Sequence, residues 1–131
     1  MILVDTSIWI ELLTKGPSRT IREQDLLRFT TCGPVVQEML QGLRPGPQSD
    51  AFRLSFLAIP VLSDPIPLNL FVSAADIYRQ GRQRGLTIRS SVDCLIAAIA
   101  IENRASVWHR DRDFDTIARY TGLEVARSVS I

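Results

Sequence analysis

Histidine is almost missing from this 131-residue chain. His109 is the only one, and cysteine occurs just twice, at Cys32 and Cys94. That scarcity excludes a zinc centre of the His/Cys kind, so any metal has to be held by oxygen. The two thiols share no metal-type spacing and lie in apolar stretches, the pattern of buried free cysteine. Lysine is equally scarce: Lys15 stands alone and every other cation is arginine. Arginine's planar fork suits phosphate, although genome composition produces the same bias. Long hydrophobic runs are also lacking, since the longest, Leu95 to Ile101, is far too short to cross a bilayer. No basic flank or small-residue cleavage site marks the N-terminus, so no secretory signal is read and the cytoplasm is the expected location. What remains, 46% hydrophobic and 22% charged residues with net charge +1, describes a soluble globular protein. One domain over residues 1–131 is expected, long enough to bury a core.

Strand and helix signals alternate along the chain. Met1–Val4 reads as a strand without a polar face, and Thr6–Ser7 can cap a helix running to Leu13. Gly16–Pro17 breaks it, and a weaker helix is expected from Ser18 to Phe29. Thr30–Cys32 reads as a second strand. Pro34 opens a helix with Val35, Val36, Met39, Leu40 and Leu43 as its apolar stripe. After the Pro45–Gly46–Pro47 loop come a helix over Ala51–Ala58 and a short strand over Pro60–Leu62. Helical spacing returns over Pro67–Arg84, stopped by Gly85, and over Val92–Asn103, capped by Ser90 or Ser91. A strand at Ser106–Trp108, a helix over Arg112–Tyr120 and a strand at Leu123–Val125 complete the order. This alternation implies an α/β fold, a three-layer α/β/α sandwich around a central parallel sheet of four to five short strands. Ligands of such sheets bind beyond the carboxyl ends of the strands.

Four acids fall at such ends. Asp5 follows the first strand, Glu38 lies one turn into the helix after the second, and Asp111 follows Val107–Trp108–His109. Asp93 is the single polar residue between Val92 and Ile101. Each has an ordinary explanation: Asp5 and Asp111 as helix caps, Asp93 as a first-turn acid favoured by the dipole, Glu38 as an exposed helical acid. Taken together, those explanations require four coincidences. If the acids converge, their repulsion drives proton uptake unless a divalent cation offsets it. An all-oxygen donor set selects Mg2+ or Mn2+ over zinc.

The strings LVDTSIWIELL, VVQEMLQGLR, SSVDCLIAAIAIENRA and HRDRDFDTIARYTGL resemble successive motifs of the PIN domain, and more narrowly the VapC toxins of VapBC toxin–antitoxin pairs. The resemblance extends from the first residue to about Val125. It implies a metal-dependent endoribonuclease that cuts transfer RNA, ribosomal RNA or message. Carried over by position, it makes Asp5, Glu38, Asp93 and Asp111 catalytic, with Asp5, Asp93 and Asp111 holding Mg2+ or Mn2+. Glu38 then orients or deprotonates the attacking water, which displaces the 3′ oxygen and leaves a 5′ phosphate. Ser7 matches the small hydroxyl residue that supports the first aspartate, and Asp113 is an auxiliary acid. His109 departs from the pattern, standing where threonine or serine is common. From the residues alone, it reads as a strand-end side chain packed on Trp108.

Arg79, Arg82, Arg84 and Arg89 surround the turn before the Asp93 helix. They read either as a basic rim for RNA phosphate, with Arg82 and Arg89 as the substrate-binding pair, or as a solvated helix end. The apolar excess of Ile8–Leu13 is mostly core. The resemblance adds a VapB-type antitoxin whose helix lies in a groove walled partly by this segment and whose basic side chain enters the acidic cleft. It also implies a homodimer, with no membrane association. Other acid-bearing α/β folds fit poorly. A haloacid dehalogenase-type phosphatase needs an aspartate where Ser7 stands, a receiver domain needs a lysine near the end, and a flap-type nuclease needs a longer chain. The remaining alternative is a catalytically silent PIN-like module that binds RNA or protein.

Overall fold

The computed structural model describes residues 1–14 and 27–126. Its first strand, β1 (Ile2–Val4), is buried along its whole length and leads directly into α1 (Thr6–Thr14). Next come β2 (Phe29–Thr30), α2 (Gly33–Gln41), α3 (Pro47–Leu57), α4 (Leu68–Gln83) and α5 (Ser91–Glu102). Then β3 (Ser106–Trp108), α6 (Arg112–Ala118) and β4 (Glu124–Ala126) follow. All strands pair in parallel in the order β2-β1-β3-β4, with Leu3 opposite both Thr30 and Val107, and Val4 opposite Trp108. Helices flank this sheet, giving the expected α/β/α sandwich. α4 and α5 pack against each other, while α6 packs on α5 and β4.

The core explains why strands this short persist. Phe29 lies 6.0 Å from Trp9 and 5.8 Å from Trp108 between ring centroids, and Trp9 meets Phe56 edge-on at 5.4 Å. Such contacts add to the large apolar area that each ring removes from water. On α5 the run Ile96–Ala100 is buried without interruption. Cys32 and Cys94 are free and buried, as expected, and burial pushes their thiols up to about 12 and about 11.

Several boundaries differ from the sequence expectation for identifiable reasons. The second strand is Phe29–Thr30 rather than Thr30–Cys32, because Phe29 pairs with Ile2 and fills the aromatic core. Phe29, included in the helix expected over 18–29, is therefore strand, and residues 27–28 before it form a turn. Residues 18–26 of that expected helix, like Lys15, lie outside the described residues. Pro60–Leu62 forms only a bridge between Thr31 and Val61, in which Thr31 N donates to Pro60 O and Leu62 N to Thr31 O. Pro60 has no N–H to extend the ladder. α3 starts at Pro47 rather than Ala51, since proline is favoured at the first helical position.

Candidate active site

The parallel ladder delivers the acidic residues to one edge. Asp5 follows the last residue of β1, and its N–H donates to Trp108 O at 3.0 Å, so the ends of β1 and β3 are level. His109, Arg110 and Asp111 continue from β3, while Thr31 and Cys32 continue from β2 into the helix that bears Glu38. α5 is bracketed by Ser90 and Asn103, and Asp93 sits in its first turn.

Asp5 is 5% exposed and accepts from the Ser7 hydroxyl at 2.6 Å and the Ser7 N–H at 3.2 Å, all through Oδ2. Ser7 therefore holds the first aspartate, in agreement with the family pattern. Asp93 is 7% exposed, and its Oδ2 has no hydrogen-bond partner among the described residues. A buried carboxylate oxygen without a partner is costly. Burial, then the hydrogen bond that its protonated form shares with Asp113, then the negative charges of Asp111, Asp5 and Asp113 push Asp93 up to about 8.

Asp93, Asp111 and Asp113 offer oxygens that all lie within 4.8 Å of one another. Asp5 and Glu38 fall outside that trio, although the Asp5 charge reaches Asp93 and both charges reach the Cys32 thiol. Glu38 is half-buried and lines a cavity of about 620 Å³ together with Ile66, Phe71, Val92 and Leu95. That cavity runs to the start of α5, one residue before Asp93.

Asp111 is the helix cap that its position allows, with Oδ1 accepting from Asp113 N at 2.9 Å, and it also stands among the acids of the trio. Asp113 is 3% exposed and accepts from the N–H groups of Arg89 and Ser90. Sequence spacing gave no sign of this contact, which spans 23 and 24 positions.

His109 packs on Phe114, centroid to centroid 5.0 Å, while Trp108 before it meets Phe29. Its Nδ1 accepts from Asp111 N at 2.9 Å, and its Nε2 stands 3.5 Å from Asp115 Oδ1 without a hydrogen bond. Burial lowers its pKa against the opposing pull of Asp115, Asp5 and Asp111. Of the arginines, Arg82 lies over the Tyr78 ring and Arg84 over Tyr120, while Arg79 is 3.9 Å from Asp76. Arg89 is exposed, and its own N–H is the one held by Asp113.

This donor set fits a hard divalent cation. It consists of carboxylate oxygens only, it includes a buried oxygen with no partner, and the charges of Asp111, Asp5 and Asp113 add to burial in raising the proton affinity of Asp93.

Comparison with known proteins agrees with this geometry. A family model described as PIN domain matches residues 2–120. The chain is 38% identical over 132 residues to VapC ribonuclease Mb1587 of Mycobacterium bovis and to Ribonuclease VapC11 of Mycobacterium tuberculosis, covering 96% of this chain and 98% of each relative. Among solved structures, VapBC2 from Rickettsia felis, bound to a DNA fragment from its promoter, superposes with a TM-score of 0.71 at 20% identity over 96% of this chain and 98% of that one. VapBC-5 from Mycobacterium tuberculosis gives 0.68 at 19% identity, covering 96% and 97%. The fold, the acidic edge and the level of identity together place this chain in the PIN-domain family, among the VapC ribonucleases.

Proposed function

We propose that this chain is a Mg2+- or Mn2+-dependent endoribonuclease and the toxin of a toxin–antitoxin pair, built as a single PIN domain and acting in the cytoplasm. The observation that carries the reading is the unpartnered Oδ2 of Asp93, buried among the carboxylates of Asp5, Asp111 and Asp113. Asp93 and Asp111, with Asp5 beside them, would hold the ion. When bound, it supplies positive charge at the phosphodiester oxygens and makes water more acidic. Glu38, half-buried along the cavity that reaches α5, takes the proton of the attacking water. Ser7 keeps the Asp5 carboxylate oriented, and Arg82 and Arg89 attract RNA phosphate from the rim.

A silent binding module is the weaker reading. It has no use for a buried carboxyl whose proton affinity is raised by the acids around it.

A VapB-type antitoxin is the proposed protein partner. The solved neighbours are VapBC complexes, and Trp9 of α1 lines an apolar cavity of about 570 Å³ with Leu27, Phe52, Phe56 and Ile59. A homodimer is proposed as well. Leu68, Phe71 and Val72 on α4 and Val92 on α5 are exposed, and Phe71 and Val92 line the same cavity as Glu38. Gel filtration of the chain alone and with the antitoxin tests both. The activity is tested with Asp5→Asn and Asp93→Asn on a pooled RNA substrate with Mg2+. Loss of cleavage in each is expected, and undiminished cutting by both contradicts the scheme.

A further inference from the structure

The loop after β3 carries two acids that look interchangeable in sequence, Asp111 and Asp113, yet their surroundings differ. Asp111 is half-buried and spends one hydrogen bond on capping its own helix. Asp113 is 3% exposed and reaches across to another element. Its Oδ1 accepts from Arg89 N at 3.1 Å, while its Oδ2 accepts from Arg89 N at 3.1 Å and Ser90 N at 3.0 Å.

We propose that Asp113 is a positioning residue rather than a metal ligand: its carboxylate clamps the Arg89–Ser90 turn to the start of α6, which sets Asp93 opposite Asp111 and holds Arg89 at the rim.

Three observations support the assignment. Asp113 engages two backbone N–H groups, that of Arg89 shared between both oxygens and that of Ser90 on Oδ2, and it also bonds the protonated form of Asp93, whereas Asp93 Oδ2 has no partner. Ser90 is the N-cap of α5, but its side chain makes no capping hydrogen bond, so the approach to this helix is fixed from outside by Asp113. Asp93 N donates to Ser90 O at 3.1 Å, which passes the position of Ser90 on to Asp93. One side chain thereby couples the proposed ion site to an arginine proposed for substrate. The inference rests on the proposed metal-dependent cleavage for its meaning, but the clamp itself exists without metal and is tested separately.

The experiment is amide hydrogen exchange of the wild-type full chain, without metal and then saturated with Mg2+, together with Mn2+ binding by calorimetry. A clamp keeps the Arg89 and Ser90 amides protected in both states. If Asp113 is a ligand, Mg2+ draws its carboxylate away and those amides exchange about tenfold faster, which overturns the proposal. Asp113→Asn supplies the second arm. In the metal-free protein its Arg89 and Ser90 amides are expected to exchange about tenfold faster, while Mn2+ binding persists with affinity lowered by about tenfold or less. Asp93→Asn is expected to abolish measurable Mn2+ binding and leave those amides protected. Loss of Mn2+ binding in Asp113→Asn equal to that in Asp93→Asn, or unchanged exchange, overturns the clamp. A wild-type chain that binds no Mn2+ and cuts no RNA contradicts the proposed function instead, with the metal-free exchange still deciding the clamp.

Discussion

The backbone N–H of Arg110 donates to the Ser7 hydroxyl at 3.0 Å across 103 positions of sequence. That hydroxyl gives its own proton to Asp5 Oδ2 at 2.6 Å, so one small side chain joins the ends of β1 and β3 and orients the first aspartate. Ser7→Ala leaves the Arg110 N–H without its acceptor and Asp5 Oδ2 with only the backbone N–H of residue 7. A loss of about 1–3 kcal/mol in urea unfolding is expected, with RNA cleavage falling as well. Ser7→Thr keeps the hydroxyl and retains most of both.

Asp93 makes the metal-free protein less stable as pH rises. Its carboxyl holds a proton up to about 8 in the fold but only to the ordinary 3.8 when unfolded. Between those values the folded state binds more protons, so stability falls with increasing pH. From pH 6.5 to 8 the melting temperature of the metal-free chain is expected to drop through this group, and added Mg2+ or Mn2+ to restore it. Asp93→Asn removes the dependence. A flat profile for the wild type contradicts the placement of Asp93.

His109 works through its shape and its acceptor nitrogen. Because Nδ1 accepts from Asp111 N, the neutral ring carries its proton on Nε2. His109→Leu keeps the packing on Phe114 but leaves that N–H unpaired, with an expected loss of about 1–2 kcal/mol. His109→Asn restores an acceptor near the position of Nδ1 and is expected to lose less. Burial lowers the folded pKa below the usual 6.5, so the unfolded chain takes up the proton first and stability is lost as pH falls below 6.5. The leucine variant lacks that component, and denaturation curves at pH 5 and pH 7 measure it.

Gly81→Ala provides a test far from the acids. A Cβ there would stand 2.6 Å from the Tyr120 hydroxyl, which donates to Ile77 O at 2.7 Å. Alanine gains about 1 kcal/mol in helix propensity, but breaking the Tyr120 bond and displacing its ring costs about 1–3 kcal/mol. Net destabilisation is expected by thermal melting, and Gly81→Ala combined with Tyr120→Phe recovers part of it.

What could be read from sequence follows the range of the interactions. The buried strand Ile2–Val4, the helix around Asp93 and the end of β3 before Asp111 all announce themselves through local apolar pattern. The placement of Asp5 and Asp111 follows from the same pattern, because parallel strands send their carboxyl ends to one edge, whereas Glu38 and Asp5 lie outside the trio of Asp93, Asp111 and Asp113. Phe29 was assigned to a helix because its partners, Ile2, Trp9 and Trp108, are remote in sequence. The strand at Pro60–Leu62 shrank to a bridge because proline cannot extend a ladder. The contacts of Asp113 with Arg89 and Ser90 carry no local signal, since they arise only once α5 and α6 pack. The packing of His109 on Phe114 likewise depends on α6 folding back against the end of β3. Asp111 shows that two local readings need not compete, since one carboxylate caps α6 and also joins the acidic trio.

The most direct test is diffraction from crystals soaked in Mn2+, recorded at a wavelength where manganese scatters anomalously. An ion is expected at the acidic edge with oxygens of Asp93 and Asp111 in contact, Asp5 beside it and Asp113 still bound to the Arg89 and Ser90 amides. An empty acidic edge at saturating Mn2+, with RNA cleavage undiminished by chelator, would show that these carboxylates serve something other than a divalent ion.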